Sequence, residues 1–188
     1  MEAAMKSFKD KADFEVKWRP FFLNPNLPKE GVDKLTMYKE KFGEARMQQM
    51  IPHMQQVGRE SGINFSYGGK VANTMDSHRV MNWALKQSVA AQDAVCEKLF
   101  AAYFEQEKNI GSEEVLVNCA KEAGLDGEAC RQMLREGGET KEVLDDIEGF
   151  QRKMRISGVP HFVINGKEQL SGAQEADTFA GIFAQMVR

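Results

Sequence analysis

The sequence predicts an α/β protein in which a large all-helical subdomain is inserted between two parts of a small strand-containing core. Apolar and charged residues alternate over residues 14–18, which is the pattern of a strand with one buried face. No proline occurs between Pro52 and Pro160, and helix-forming residues fill that stretch. After Pro160 the pattern returns to short extended runs. Strands are therefore expected on both sides of a long helical region.

The first predicted elements lie near the N-terminus. Residues 2–11 are expected to be helical, and Pro20 ends the strand at 14–18. Pro25 and Pro28 mark an extended connection, because each proline disfavours helix in the residue before it.

Capping and terminating residues define the helices of the long middle region. Pro52 is expected to kink or restart its helix, and a stripe at 143, 147, 150 and 154 is expected on the last one. The predicted helices cover 32–42 (ended by Gly43), 44–61, Asn73 or Thr74 to about Lys86, 88–106, Ser112 to Gly124, Asp126 to Gly137, and a helix opened by Thr140.

The end of the chain predicts a hairpin and a closing helix. Residues 161–164 and 167–170 are expected to pair, because Asn165-Gly166 is the favoured pair for a two-residue type I′ turn. The closing helix has apolar residues at i, i+3, i+4 and i+7, so one of its faces should be buried. These residues are Phe179, Ile182, Phe183 and Met186.

Composition and charge exclude several classes of protein. The 188 residues are 42% hydrophobic and 28% charged, and the formal net charge is −3. A nucleic-acid-binding surface is normally basic, so we expect no nucleic-acid partner. No run of about 18 apolar residues is present, so no membrane-spanning helix is expected. The N-terminus also lacks the apolar segment of a secretory signal.

The cysteines predict reduced thiols and a cytoplasmic protein. Cys96, Cys119 and Cys130 are an odd and sparse set without Cys-x-x-Cys spacing. Cys119 and Cys130 flank a predicted turn at 124–127 and could approach each other, but buried free cysteines are the more common case. The three histidines are scattered, so no metal site is predicted.

One segment has distinctive backbone chemistry. Pro160 stands at the first residue of a predicted strand, where no ladder donor is needed. A cis Val159–Pro160 bond would point the Val159 backbone outward, where it could pair with an extended peptide by strand addition. The simpler interpretation is that Pro160 only begins the strand, because roughly 5–6% of such bonds are cis.

Three groups of residues resemble a known family. They are 18–25 (WRPFFLNP) with 28–32 (PKEGV), 73–74 (NT) with 77–79 (SHR) and 83–84 (WA), and 158–166 (GVPHFVING) with 171–174 (SGAQ). In this order and spacing they resemble the FrnE-like branch of the DsbA family, which is similar to 2-hydroxychromene-2-carboxylate isomerases. The resemblance implies a thioredoxin-like fold with a large inserted all-helical subdomain and a cis bond at Val159–Pro160.

The chain departs from the family at its reactive site. In the family the cis proline faces a Cys-x-x-Cys at a helix N-terminus, where the dipole lowers the thiol pKa. Here no cysteine precedes Cys96, and Ser7 lies too far into the first helix to replace the serine of glutathione-dependent relatives. We therefore predict no catalytic residue and no first core strand. Residues 1–30 and 150–188 are expected to form the incomplete core, and 31–149 the inserted subdomain.

The absent strand has a predicted structural consequence. In the thioredoxin fold the first strand lies between the second strand and the hairpin. Residues 14–18 should then either pair with 161–164 or leave buried backbone groups unpaired. The chain is expected to be less stable than a complete relative, or to rebuild the sheet with a partner such as a second copy in a homodimer.

The predicted substrate-binding residues are Val159, Pro160, His161, Asn73 and His78. His161 is either a strand-surface residue or a site group. His78 either lines a groove between core and insertion or is a polar helix residue bonded to a neighbouring carbonyl. The expected ligand is a polypeptide or a small thiol.

Three function hypotheses follow from the resemblance. The first is a thiol–disulfide oxidoreductase relative without its own dithiol, redox-inactive by itself or acting as a peptide-binding module through the Val159–Pro160 groove. The second is a truncated form of an active enzyme, in which an upstream reading frame encodes the strand and the Cys-x-x-Cys. The third is a glutathione-dependent isomerase or transferase, with glutathione as its cofactor. Whether the chain is itself an enzyme stays open between them.

Overall fold

A computed structural model of the protein describes residues 1–187, which divide into two compact units. The sheet unit contains Met1–Val16 and the chain from Ile147 onward. The helical unit is Lys17–Asp146. The boundaries expected from the sequence, at residues 30 and 150, stay a prediction.

Helices dominate the described chain. They are α1 (Glu2–Ser7), α2 (Lys34–Phe42), α3 (Glu44–Glu60), α4 (Met75–Gln87), α5 (Val89–Phe104), α6 (Glu113–Glu122), α7 (Gly127–Arg135), α8 (Thr140–Met154) and α9 (Ala176–Met186). The strands are β1 (Val32–Asp33), β2 (Lys70–Val71), β3 (His161–Ile164) and β4 (Glu168–Ser171). No helix in the described part of the chain has both the length and the apolar character needed to cross a membrane.

The helical unit contains a small antiparallel ribbon that sequence analysis missed. Two residues of β1 pair with two of β2, with Val32 opposite Val71. The Asp33 carboxylate then caps α2 by accepting the Thr36 N–H at 2.8 Å. Pro52 lies inside α3 without ending or restarting it.

The core of the helical unit is built by α4, α5, α6 and α7. Asp126, a cap predicted from the sequence, accepts the Glu128 and Ala129 N–H groups, and Ser88, where a helix was expected to begin, accepts the Ala91 N–H at 3.0 Å. Ser112 precedes α6 as predicted but makes no side-chain cap bond. The core consists of buried aliphatic side chains and two thiols, which include Val80, Val95, Leu99, Leu116, Val117, Cys119 and Cys130.

Arg79 joins α4 to the end of α7. Its side chain is buried, and its guanidinium donates to the carbonyls of Leu134 at 2.9 Å, Met133 at 3.0 Å and Gly138 at 2.6 Å. A fourth bond reaches Asp76 at 2.7 Å. The Met133 and Leu134 carbonyls also accept the N–H groups of Gly138 at 2.9 Å and Gly137 at 3.4 Å. Arg79 therefore adds charged donors to the end of α7 and bonds the Gly138 carbonyl just beyond it.

The sheet unit is a two-stranded hairpin on a pair of helices. In the antiparallel pairing of β3 and β4, Phe162 lies opposite Leu170. Both side chains and that of Ile164 pack on one apolar cluster with α1 and α9, in which Ala4, Phe179 and Phe183 are buried. The predicted buried face of α9 is confirmed at its two phenylalanines, while Ile182 is only half-buried.

The hairpin loop has one residue more than predicted. Asn165 and Gly166 both have positive φ, 51° and 68°, and the Lys167 N–H donates to the Ile164 carbonyl at 3.1 Å. Both features fit the type I′ turn expected of this pair. However, Ile164 lies opposite Glu168, which leaves Lys167 in a three-residue loop.

The prediction of a strand at 14–18 is wrong. The burial does alternate: Phe14, Val16 and Trp18 are half-buried, and the residues between them are exposed. No strand pairs with this segment within the described residues, and it does not join 161–164. The alternation therefore identified which side chains are less exposed, but a strand also requires a hydrogen-bonded neighbour, which the pattern does not report.

Candidate functional site

The turn before β3 presents an exposed apolar residue. The Val159–Pro160 peptide bond is cis, and Val159 is 47% exposed. The Pro160 carbonyl accepts the N–H of Gly172 at 2.9 Å, which extends the β3–β4 ladder by one pair. The Pro160 ring is exposed as well. Val159 and Pro160 thus lie at the open end of the hairpin, where another molecule can reach them.

His161 begins β3 and bonds along the sheet. Its Nε2 lies 3.1 Å from Oε1 of Gln169 on β4. His161 and Gln169 lie on the face opposite to Phe162 and Leu170, because successive side chains of a strand alternate between faces. This contact fits the strand-surface interpretation of His161, one residue away from the exposed turn.

Asn73 stabilises a turn in the helical unit. Its Oδ1 accepts the Met75 N–H at 2.9 Å at the start of α4, while Thr74 makes no side-chain cap. Its Nδ2 donates to the Pro25 carbonyl at 2.6 Å, and its backbone N–H donates to the Pro28 carbonyl at 3.2 Å. Asn73 therefore connects the proline-containing segment to α4.

His78 contacts the same proline-containing segment at Phe21 and Phe22. Its Nε2 lies 3.2 Å from the Phe21 carbonyl, and its ring packs against Phe22 at 5.5 Å between centroids. Burial lowers the pKa of His78 to about 4, although the bond to the Phe21 carbonyl opposes this shift. The contact is the carbonyl bond that the polar-helix interpretation expects. The neutral ring donates an N–H to Phe21.

The predicted site residues therefore belong to two groups. Val159, Pro160 and His161 are adjacent in the sheet unit. Asn73 and His78 hold the 20–28 connection in the helical unit. That the two groups form one binding site stays a prediction.

The three cysteines are buried in the helical unit as free thiols. Their exposures are 4% for Cys96, 5% for Cys119 and 0% for Cys130. Burial raises the pKa of Cys96 to about 12 and that of Cys130 to about 11, and it raises the pKa of Cys119 too. A thiol becomes nucleophilic when it is ionised and accessible. All three thiols therefore lack the ionisation and the accessibility that a nucleophile needs, and their side chains pack as core residues.

A family model described as the DSBA-like thioredoxin domain matches residues 1–184. The chain belongs to this family. Its fold is accordingly the DsbA-like thioredoxin fold with a helical insertion, which confirms the fold class expected from the sequence. The three unpaired cysteines agree with the missing Cys-x-x-Cys.

Two similar proteins support the assignment to the DsbA-like family. The chain is 27% identical over 172 residues to Uncharacterized protein YwbO of Bacillus subtilis, covering 89% of this chain and 80% of that protein. The crystal structure of the probable DsbA oxidoreductase SCO1869 from Streptomyces coelicolor superposes with a TM-score of 0.87 at 27% identity. That superposition covers 98% of this chain and 80% of the other.

Sequence analysis missed one residue that shapes this DsbA-like chain. Gln92 is fully buried in α5 and forms two hydrogen bonds with the backbone of Trp18: Oε1 accepts its N–H at 2.9 Å, and Nε2 donates to its carbonyl at 3.0 Å. The side-chain amide of Gln92 thus makes the two backbone hydrogen bonds that a neighbouring strand would otherwise make. The helical spacing could have revealed this residue, because Gln92 lies on the same face of α5 as buried Val95, Cys96 and Leu99. A polar side chain on a buried face requires hydrogen-bond partners.

Replacing Gln92 with leucine is expected to lower the free energy of unfolding by about 2 kcal/mol, because partly buried backbone groups of Trp18 lose their partners while side-chain volume is nearly kept. Urea unfolding followed by tryptophan fluorescence measures the change. Gln132→Leu is the matched control, since Gln132 is exposed and its side chain donates to Glu136 at 2.8 Å, one turn later on the helix surface. Equal stability of the two variants would contradict the role given to Gln92.

Proposed function

We propose that this DsbA-like chain of 188 residues binds extended polypeptide at the turn formed by Val159 and Pro160, and that it performs no thiol–disulfide exchange by itself. The exposure of Val159 at the open end of the hairpin carries the proposal. Extended peptides bind proteins through main-chain hydrogen bonds beside a strand together with contacts to their alternate side chains, and Val159 offers an apolar surface for such a contact. The name of the similar Streptomyces protein, a probable DsbA oxidoreductase, fits a polypeptide ligand.

The state of the thiols supports the redox part of the proposal. Exchange requires a thiolate that reaches a disulfide sulfur and forms a mixed disulfide. In the described residues each cysteine is buried in the helical core with a raised pKa. Binding without exchange is then the activity that the sheet unit offers.

The binding part is tested with a reduced and alkylated insulin B chain as the unfolded polypeptide, followed by fluorescence anisotropy. We expect Val159→Asp to weaken binding at least about fivefold, roughly 1 kcal/mol, because it places a charge where an apolar contact forms. Leu144→Asp is the matched control, because Leu144 is also 47% exposed but lies on α8. Equal binding by the two variants, or no binding by the unmodified chain, overturns the proposal.

The redox part is tested by the reduction of insulin with dithiothreitol. The unmodified chain is expected to react at the background rate, and so is a variant in which Cys96, Cys119 and Cys130 are all alanine. A thioredoxin with an intact Cys-x-x-Cys is the positive control. A rate above background that disappears in the cysteine-free variant contradicts this part. Calorimetry with reduced glutathione tests the glutathione-dependent alternative separately.

A further inference from the structure

The outer face of α5 carries two exposed phenylalanine rings. Phe100 is 43% exposed and Phe104 is 39% exposed, and their ring centroids lie 5.9 Å apart, one turn along the helix. The opposite face of α5 is buried in the helical core at Val95, Leu99 and Ala102. A surface helix normally has one apolar and one polar face. The second apolar face of α5 is therefore a candidate for contact with another molecule.

The apolar surface continues from α5 to α3 through Phe65. The Phe65 ring packs 5.7 Å from that of Phe104, and it lies over Gly58, where a Cβ atom would be 2.5 Å from its Cδ2 atom. Val57 precedes Gly58, and the Ile63 N–H donates to the Gly58 carbonyl at 2.8 Å. The side chains of Val57 and Ile63 are 39% and 37% exposed. We call these apolar residues the outer apolar surface: Val57, Ile63, Phe65, Phe100 and Phe104.

Acidic side chains adjoin the outer apolar surface. Asp93 lies on the same face of α5 as Phe100, two turns before it, and Glu105 directly follows the helix. The Asp93 carboxylate accepts the Trp18 Nε1–H at 2.9 Å, and the Glu105 carboxylate accepts the Asn64 N–H at 3.1 Å. Both donors are neutral, so they do not cancel the carboxylate charges. A partner that carries basic residues beside its apolar ones is therefore favoured.

The outer apolar surface suits a helical partner. The backbone N–H and carbonyl groups within α3 and α5 are bonded inside each helix. The surface therefore offers side chains, and it has no row of backbone groups to which a strand could be added. A partner helix satisfies its own backbone and contributes apolar side chains at i, i+3, i+4 and i+7 to a contact of this kind.

We propose that the outer apolar surface binds an amphipathic helix of another polypeptide, with the apolar face of that helix on Phe100 and Phe104 and a basic flank beside Asp93 and Glu105. This inference concerns the helical unit and does not rest on the proposed function, whose residues lie in the sheet unit. A second copy of the chain fits the surface less well, because it would bring the same acidic side chains to the contact.

The test uses a fluorescein-labelled peptide of about 14 residues, which forms about four helical turns. It contains leucine at i, i+3, i+4 and i+7, which places all leucines on one face, and lysine elsewhere. Fluorescence anisotropy measures its binding to the full chain. Phe100→Asp on α5 and Val57→Asp on α3 are each expected to weaken binding at least about tenfold, because each places a charge in an apolar contact. Leu144→Asp is the matched control, since Leu144 is 47% exposed on α8.

Charge variants that keep the local hydrogen bonds test the basic flank. Asp93→Asn and Glu105→Gln retain oxygen atoms that accept from Trp18 and Asn64, but they lose the negative charges. Together they are expected to weaken binding of the lysine peptide at least about threefold at low salt. A peptide with glutamate in place of lysine is expected to bind the unmodified chain at least about tenfold more weakly. Equal binding of the lysine and glutamate peptides overturns the proposal.

The remaining outcomes decide between occupants. No binding by the unmodified chain, or equal binding of a peptide of the same composition with its leucines spread around the helix, overturns the proposal. Loss of binding in Val159→Asp but not in Phe100→Asp places the peptide at the turn, so the proposed function stands and this inference falls. A dimer in sedimentation velocity that dissociates in Phe100→Asp assigns the surface to a second copy and also overturns it.

Far-UV circular dichroism establishes that each variant is folded. If an aspartate variant is not folded, the charge variants and the glutamate peptide still decide the outcome, because they change no apolar residue of the surface.

Discussion

Replacing Arg79 with methionine is expected to lower the free energy of unfolding of the helical unit by about 3–5 kcal/mol. Arg79 is 5% exposed to solvent, and its guanidinium donates hydrogen bonds to four acceptors. Methionine keeps much of the volume but removes all four hydrogen bonds of the guanidinium. The Gly138 carbonyl and Asp76 lose the Arg79 donor, while the Met133 and Leu134 carbonyls keep only the backbone N–H groups of Gly138 and Gly137. A buried acceptor that loses its partner costs about 1–3 kcal/mol.

A lysine at the same position separates charge from geometry. Arg79→Lys keeps the positive charge but has no planar fork that reaches several carbonyls together, so it is expected to recover little of the loss. Urea unfolding followed by far-UV circular dichroism measures both variants. Arg135→Met is the matched control, because Arg135 also lies on α7 and pairs with Glu113 at 2.9 Å, but its side chain is 64% exposed. The control should lose less than about 1 kcal/mol.

Either of two results would contradict this account of Arg79. If Arg79→Lys were as stable as the unmodified chain, the charge beside Asp76 would be the important feature instead of the capped carbonyls. If Arg135→Met lost as much as Arg79→Met, burial and bond number would not explain the difference.

Acidification is expected to destabilise the protein through His78 by about 2 kcal/mol at pH 5 and about 3 kcal/mol at pH 4, relative to pH 7. Burial lowers the pKa of His78 from 6.5 to about 4 in the folded chain. The unfolded chain therefore binds the proton first as the pH falls. The stability contributed by the neutral ring is complete above pH 6.5 and is lost progressively as the pH falls toward 4.

The His78 contribution is isolated by comparing variants over this pH range. His78→Gln retains an amide that can donate to the Phe21 carbonyl but does not titrate, so its unfolding free energy should fall less steeply between pH 7 and pH 4. Carboxylates such as Asp76, two residues earlier on α4, titrate in both proteins and cancel in the comparison. His53→Gln, an exposed position on α3, should follow the unmodified chain. Parallel curves for His78→Gln and the unmodified chain would exclude this role.

Local signals in the sequence predicted most helix limits correctly. Ser88 and Asp126 cap the helices assigned to them, and Gly43 and Gly124 have the positive φ of 80° and 83° that favours glycine at a helix end. These features depend on a few neighbouring residues, so the sequence contains them fully. The first helix ends at Ser7 instead of residue 11, because nothing in its composition marks that end.

Features that depend on distant partners could not be predicted in the same way. The alternation at 14–18 predicted the less exposed side chains correctly but the strand wrongly, and the group that accepts the Trp18 N–H is Gln92, 74 residues later. The ribbon between β1 and β2 is only two residues long on each side, too short for a periodic pattern. In the candidate site, the turn at Val159 was predicted from the residues that resemble the family motif. The bonds of Asn73 and His78 to the 20–28 connection could not be predicted, because they join residues about 50 positions apart.

The side chain of Gln92 also determines what change this region can tolerate. Since a single amide on α5 satisfies both backbone groups of Trp18, the conformation at Trp18 does not depend on sheet register. A one-residue slip of one strand against another turns every side chain of the slipped strand to the opposite face, whereas the two bonds from Gln92 contain no register that could slip. A substitution at position 92 is therefore expected to release both backbone groups of Trp18 together.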